Sequence, residues 1–245
     1  GLRHASQMLW LLGYPDQALQ RSNEALALAQ KLSQPSSLCF ALYFSAWVEQ
    51  HRGERQAAQE HIEQTIALAT EQGFTRWLAQ GSILQGWLLV EEGKGREGIL
   101  QMRTGGVQAR ERSHYAALLA EAHRKERQVT EGLTLVTGAL EQTDIIGEGY
   151  YEAELHRVKG ELLLAQSAAD EQRAEACFQN ALKVARGQSA KSLELRAAMS
   201  LSRLWQRQAK TAEARQLLGY IYGWFTEGFD TADLKAAKAL LEELS

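Results

Sequence analysis

The sequence predicts an all-α fold, a superhelical solenoid of about six helical hairpins followed by a capping helix. Three observations carry this. A short pattern of small and larger side chains recurs six times along the 245 residues. The only prolines are Pro15 and Pro35, so nothing in residues 36–245 forbids long helices. No stretch alternates apolar and polar positions with β-branched residues for long enough to make a strand.

The recurring pattern is a small residue, a larger or apolar one four later, and a third, small or medium in most copies, three after that. It reads Ala18–Ser22–Ala25, Ala58–Ile62–Thr65, Gly98–Met102–Gly105, Gly132–Val136–Ala139, Ala174–Phe178–Ala181 and Ala214–Leu218–Ile221. The spacings between leading positions are 40, 40, 34, 42 and 40 residues. Small residues where helices cross let the backbones approach, while larger neighbours fill the gaps. Five residues before the leading position stands a turn residue: Gly13, Gly53 and Gly93, then Arg127, and Ala209 in the last copy. Glycine closes a helix in left-handed geometry at low cost, so the turns at Arg127 and Ala209 are expected to be less sharply specified. In the fifth copy Ala168–Glu171 reads as a longer turn.

These signals divide one domain, 1–245, into repeats of approximately 1–33, 36–73, 75–111, 113–145, 148–188 and 190–228, with a capping helix over 230–245. Residues 54–70 set Ala57, Ala58, Ile62, Ile66 and Ala69 on one helical stripe, and 193–207 do so with Leu193, Arg196, Ala197, Leu201 and Leu204. Gly105 and Gly106 fall inside a second helix, where each costs about 1 kcal/mol relative to alanine. We therefore expect a helix break or hinge near 104–107. Gly228 reads as a left-handed stop after a helix carrying Trp224 and Phe225, with Asp230 or Thr231 capping the next. Leu234, Ala237, Leu240 and Leu241 then give the closing helix an apolar side. A lone hairpin cannot hide its apolar face, and stacking six buries one elongated core.

Composition narrows function mainly by exclusion. The formal net charge of −3 disfavours direct nucleic-acid binding. No apolar run spans a bilayer and no leader opens the chain. Gly1 at the start suggests a piece of a longer protein. Cys39 and Cys177 form no spaced pair and fit a reducing, cytoplasmic setting as buried apolar groups. His4, His51, His61, His114, His123 and His156 include one pair, His51 and His61, able to meet across a hairpin, but no third ligand, so no metal is expected. No nucleophile elbow surrounds a serine. Glu91, Glu92 and Glu97 beside Gly93 and Gly95 read as a solvated turn. Arg110, Arg112, Arg124, Lys125 and Arg127, interrupted by Glu111, Glu121 and Glu126, read as a mixed-charge surface. The expectation is a non-enzyme with no cofactor.

Ala174, Phe178 and Ala181 give the fullest version of a core that resembles the tetratricopeptide repeat, whose usual unit is 34 residues. The 40-residue spacing resembles the longer-helix variety of bacterial signal-transduction regulators. Glu154–Leu164 resembles a helix of those proteins. Tyr222–Lys235 resembles the C-terminal signature of chains that join a class III adenylate/guanylate cyclase-like or regulatory domain to an AAA-type or STAND-type ATPase and a repeat array. The resemblance implies a right-handed α-α superhelix and the C-terminal scaffold of a larger signalling protein. Gly93-Lys94-Gly95-Arg96 lacks phosphate-loop spacing and reads as a turn.

In such arrays the first helix of each pair lines the concave groove. Counting from the leading positions, the expected groove residues are Tyr43, Trp47 and Gln50, then Gln80, Ile83 and Trp87, then Glu121 and Arg124, and finally Arg203 and Arg207. Tyrosine, tryptophan and arginine dominate binding hot spots. For Trp47 and Trp87 the competing expectation is core packing. The partner expected is a protein or peptide, or the ATPase or cyclase module of the parent chain. The alternative is an effector-sensing domain of a bacterial transcription regulator, with a small molecule held near Tyr43, Trp47 and Trp87.

Overall fold

The computed structural model describes residues 5–106, 112–146 and 149–245, and among them every regular element is helical. The helices are α1 (Ala5–Leu11), α2 (Pro15–Leu32), α3 (Pro35–Arg52), α4 (Arg55–Gln72), α5 (Thr75–Glu91), α6 (Gly95–Gly106) and α7 (Arg112–Lys125). They continue as α8 (Val129–Ile146), α9 (Glu152–Gln166), α10 (Glu171–Gly187), α11 (Lys191–Arg207), α12 (Thr211–Tyr222) and α13 (Ala232–Glu243). Pro15 and Pro35 each open a helix, where the missing N–H costs nothing. A 3₁₀ turn over Ala168–Asp170 occupies the longer link before α10. His4, Arg110, Glu111 and the end of the 104–107 stretch lie outside the described residues, as does the side chain of Arg112.

The described residues form two compact units. The first holds residues up to Trp10 and Tyr14–Tyr115, the second Leu11–Gly13 and Ala116–Ser245. In the first, consecutive helices from α2 to α6 pack on one another, and α3 also meets α5. In the second, consecutive helices from α8 to α13 do the same, with further contacts of α11 on α9 and α13. The recurring pattern lies on α2, α4, α6, α8, α10 and α12, and all of it is buried except half-buried Ala25 and Ala139. Glycine allows the closest crossing. A methyl group on Gly98 would stand 2.5 Å from the Gly86 carbonyl oxygen, and one on Gly86 would stand 2.6 Å from that of Gly98.

The stretch 104–107, where a break is expected, holds the end of a helix, and residue 107 lies outside the described residues. Helix α6 runs through Gly105 and ends at Gly106. Packing accounts for both glycines: a methyl group on Gly105 would meet the Ala79 carbonyl, and one on Gly106 would collide with the Tyr115 ring.

The turns at Arg127 and Ala209 are as sharply made as those with glycine, contrary to expectation. Both residues take left-handed backbone, φ 59° and 61°. The next amide closes the same bond in each turn: Gln128 N–H to the His123 carbonyl at 2.8 Å and Lys210 N–H to the Trp205 carbonyl at 2.9 Å. Glu54 N–H reaches the Glu49 carbonyl after Gly53 at 2.9 Å. For a residue other than glycine this conformation costs about 1–2 kcal/mol.

The closing segment also departs from expectation in detail. Helix α12 stops at Tyr222, so Trp224 and Phe225 lie in the following turn. Gly228 is left-handed as expected, at φ 75°. Thr231 is the residue before α13, but its hydroxyl donates to the Gly228 carbonyl at 2.7 Å and does not cap the helix.

Candidate partner-binding surfaces

Helices α3 and α5 carry the aromatic half of the expected groove. Tyr43, Trp47 and Gln50 recur at helical spacing on α3, and Gln80, Ile83 and Trp87 do so on α5. The structure brings the two sets together: the Tyr43 hydroxyl donates to Gln80 Oε1 at 3.0 Å. It also buries them. Tyr43, Trp47, Gln80 and Ile83 are at most 2% exposed, and only Gln50 and Trp87 are half-buried. Trp47 stacks on His51 with ring centroids 3.7 Å apart, and Trp10 meets Trp47 edge-on at 5.5 Å. His114 extends this cluster, 5.4 Å from His51. Trp47 is therefore core.

His51 and His61 do not meet as a ligand pair. His51 Nδ1 bonds the Trp47 carbonyl at 2.8 Å, while His61 Nδ1 bonds Glu49 Oε2 at 2.8 Å. Burial raises the Glu49 pKa, partly offset by His61, and the Glu49 hydrogen bond raises that of His61. Among the described residues no three or more His, Cys, Asp or Glu side chains gather as a metal site. Burial pushes the Cys39 thiol up to about 11, and Cys177 is half-buried.

The second unit carries a charged ladder. On α7, Arg124 donates two hydrogen bonds to Glu121, at 2.6 and 3.0 Å. On α9, Arg157 grips Glu154 with two, at 2.8 and 3.0 Å, and approaches Glu161 at 3.8 Å. Arg196 on α11 bridges three partners: Asp233 of α13 at 2.6 Å, Glu154 at 3.5 Å and the Tyr151 hydroxyl at 3.4 Å. Ser200 donates to Glu161 at 2.6 Å. Burial opposes the charges on Arg157 and Arg196, but the carboxylates around them more than offset it and raise both pKa values. Bidentate arginine pairs of this kind fix geometry as well as adding energy.

Arg203 and Arg207 are exposed and continue the stripe of Arg196 and Ser200 on α11. Glu121 and Arg124 are half-buried. The ladder contains residues that the helical counting of a groove leaves out: Glu154, Arg157, Glu161, Arg196, Ser200 and Asp233. A signal was present. Glu154, Arg157 and Glu161 recur at i, i+3 and i+7, and Arg196 is the one charge in the apolar stripe of 193–207.

No helix among the described residues is long and apolar enough to cross a membrane. No family model and no curated protein matches the sequence. Among solved structures, the chain is similar to the crystal structure of yeast Tom70, a helical protein rich in tetratricopeptide repeats, with a TM-score of 0.56 at 15% identity. The likeness covers 93% of this chain and 43% of that one, so the chain spans less than half of the structure it resembles. The fold is thereby all-α, of the tetratricopeptide-like α-α superhelical class.

Proposed function

We propose that the chain is a non-enzymatic interaction scaffold that engages a protein or peptide through the first helices of its hairpins. On this reading 1–245 is a single repeat array, and α13 is its capping helix. The observation that carries it is the ladder on α9, α11 and α13, a preformed row of hydrogen-bonded charges that runs into exposed Arg203 and Arg207. Side chains already held in place lose little freedom on binding, so a complementary segment binds without first ordering the surface. A protein partner is favoured over a small effector because Tyr43 and Trp47 are filled core.

The parent we propose is a bacterial signalling ATPase or cyclase, whose own catalytic module is a candidate partner, working in the cytoplasm. Support comes from the resemblance of Glu154–Leu164 and Tyr222–Lys235 to segments of such proteins. Partner engagement would then shift the parent between active and inactive populations.

Photo-crosslinking from positions 203 and 207 in a bacterial extract tests the reading. The expected result is a discrete protein adduct, lost in a folded variant carrying Arg203→Glu and Arg207→Glu. No adduct, or one indifferent to the charge reversal, overturns the proposed surface.

A further inference from the structure

In the second unit, first helices meet their immediate neighbours. Arg196 reaches Asp233 and Ser200 reaches Glu161, 37 and 39 residues apart. In the first unit, the start of α7 reaches further. The His114 ring lies 5.8 Å from that of Trp47 and 5.4 Å from that of His51, on α3, residues 67 and 63 positions earlier. A whole hairpin, α5 and α6, stands between the two in the chain. Ser113 and His114 are 4% and 2% exposed, and the Tyr115 ring fills the space that a side chain on Gly106 would need. The start of α7 therefore sits on the face of α3 that carries Trp47 and His51.

The rings fit, but the hydrogen bonds do not. Among the described residues Trp47 Nε1, Gln50 Oε1, Gln80 Nε2 and Ser113 Oγ are buried with no hydrogen-bond partner. Buried polar groups in folded chains are almost always paired, and leaving one unpaired costs stability. Here two N–H donors, one carbonyl acceptor and one hydroxyl able to do either share a layer without satisfying one another. The layer is also neutral: Tyr43, Trp47 and Gln50 on α3, and Gln80, Ile83 and Trp87 on α5, carry no charge. Its unmet chemistry is that of amide groups, which both donate and accept, and a charged side chain buried there would find no counter-charge in it.

We infer that Ser113–Tyr115 form an autoinhibitory plug. They occupy a docking site on α3 and α5 for an uncharged segment of a partner protein, which lays a ring on the Trp47–His51 stack and brings amide groups to Trp47 Nε1, Gln50 Oε1 and Gln80 Nε2. The plug excludes segments that bind no better than it does, and yields to one that makes the bonds it leaves unmade. The inference rests on the reading of the chain as an interaction scaffold and adds to it a second, neutral surface on the first unit.

The test uses two labelled peptides, capped at both ends. One has the uncharged sequence Ser113–Ala120, and the other the same sequence with Ser113→Asn, which supplies an amide. Fluorescence anisotropy measures each against the 245-residue chain and against its His114→Ala variant, whose plug has lost its ring. The variant is expected to bind both peptides about tenfold more tightly than the intact chain, as for a site otherwise open about a tenth of the time. It is also expected to prefer the substituted peptide. Adding Gln50→Leu to the variant is expected to reduce that preference without lowering the unfolding midpoint, because it removes a buried carbonyl that bonds nothing. Equal binding by the two chains, binding by neither, or a preference unchanged by Gln50→Leu overturns the inference. If His114→Ala prevents folding, the intact chain decides. A photoreactive group in place of the peptide's imidazole is then expected to crosslink at saturation to Tyr43–Arg52 of α3, and an adduct elsewhere, or none, overturns the inference. Adducts from positions 203 and 207 that persist after such a failure leave the scaffold reading standing.

Discussion

Helices α3 and α11 expose a contrast in how this fold fills its first-helix layer. On α3 the stripe of Tyr43, Trp47 and Gln50 is aromatic, and its two rings are packed dry against Trp10, His51 and Trp77. On α11 the stripe of Arg196, Ser200, Arg203 and Arg207 is polar, and its buried end is tied to neighbouring helices by hydrogen bonds. The same hairpin geometry accepts either solution. An aromatic stripe gains from removing apolar surface from water. A charged stripe gains only when each charge finds its partner. The first is robust and closed, whereas the second is exacting and leaves its outer members facing solvent. That difference is why the proposed interaction surface lies on the second unit.

The sharpest way to break this comparison is to hollow out the aromatic stripe. Trp47→Ala removes a fully buried ring and is expected to cost about 3–5 kcal/mol, by analogy with other large-to-small core substitutions. Urea unfolding followed by circular dichroism measures it. A loss under about 1 kcal/mol would mean that the indole is not core.

The charged stripe is next. Arg157→Met leaves Glu154 buried without its bidentate partner. Because the Arg157 side chain is 16% exposed, the expected cost is about 2–3 kcal/mol, somewhat below that of breaking a fully buried pair. Adding Glu154→Gln is expected to recover part of it, so a double-mutant cycle on these two residues gives the coupling. Strict additivity would show that the ladder is decorative.

The sequence made the recurring pattern legible because helix crossings restrict side-chain size wherever they occur. It also grouped side chains by helix face, because helical spacing alone places Tyr43 with Trp47 and Arg203 with Arg207. It did not disclose burial. Whether Trp47 faces solvent depends on Trp10 and His114, 37 and 67 residues away in the chain, and no local pattern reports that. The turns at Arg127 and Ala209 were misjudged for a related reason. Propensity disfavours left-handed backbone at those residues, yet both adopt it and close the same backbone bond as a glycine turn. Arg196 was placed on an apolar stripe, but its partners Glu154 and Asp233 lie on other helices.

A titration sharpens the comparison further, since the first unit holds a titratable pair of its own, His61 with the buried Glu49. His61 and Glu49 both have raised pKa values in the folded chain. For His61, the stabilisation is fully present below the unfolded value of 6.5 and is lost as pH rises through the higher folded value. Glu49 acts in the same direction nearer its unfolded value of 4.5: folding favours its protonated form, and that contribution fades as pH rises. Unfolding free energy is therefore expected to fall as pH rises from 6 through the folded His61 value. His61→Gln is expected to flatten that window. An unchanged slope in the variant would assign the pH dependence to other groups.

The smallest effect separates backbone strain from packing. Ala209 holds a left-handed conformation that costs an alanine about 1 kcal/mol or more, while glycine adopts it freely. Glycine also gains freedom in the unfolded chain, which offsets part of the benefit. Ala209→Gly is therefore expected to stabilise the second unit by about 0.5–1 kcal/mol. Gly53→Ala, at φ 84° in the first unit, is expected to destabilise by a similar amount. The pair of substitutions asks one question of both halves: whether the left-handed turn is imposed by the hairpins or supplied by the residue. If Ala209→Gly is neutral and Gly53→Ala costly, the turn in the second unit has relaxed around its alanine, and the two units differ in their connections as well as in their stripes.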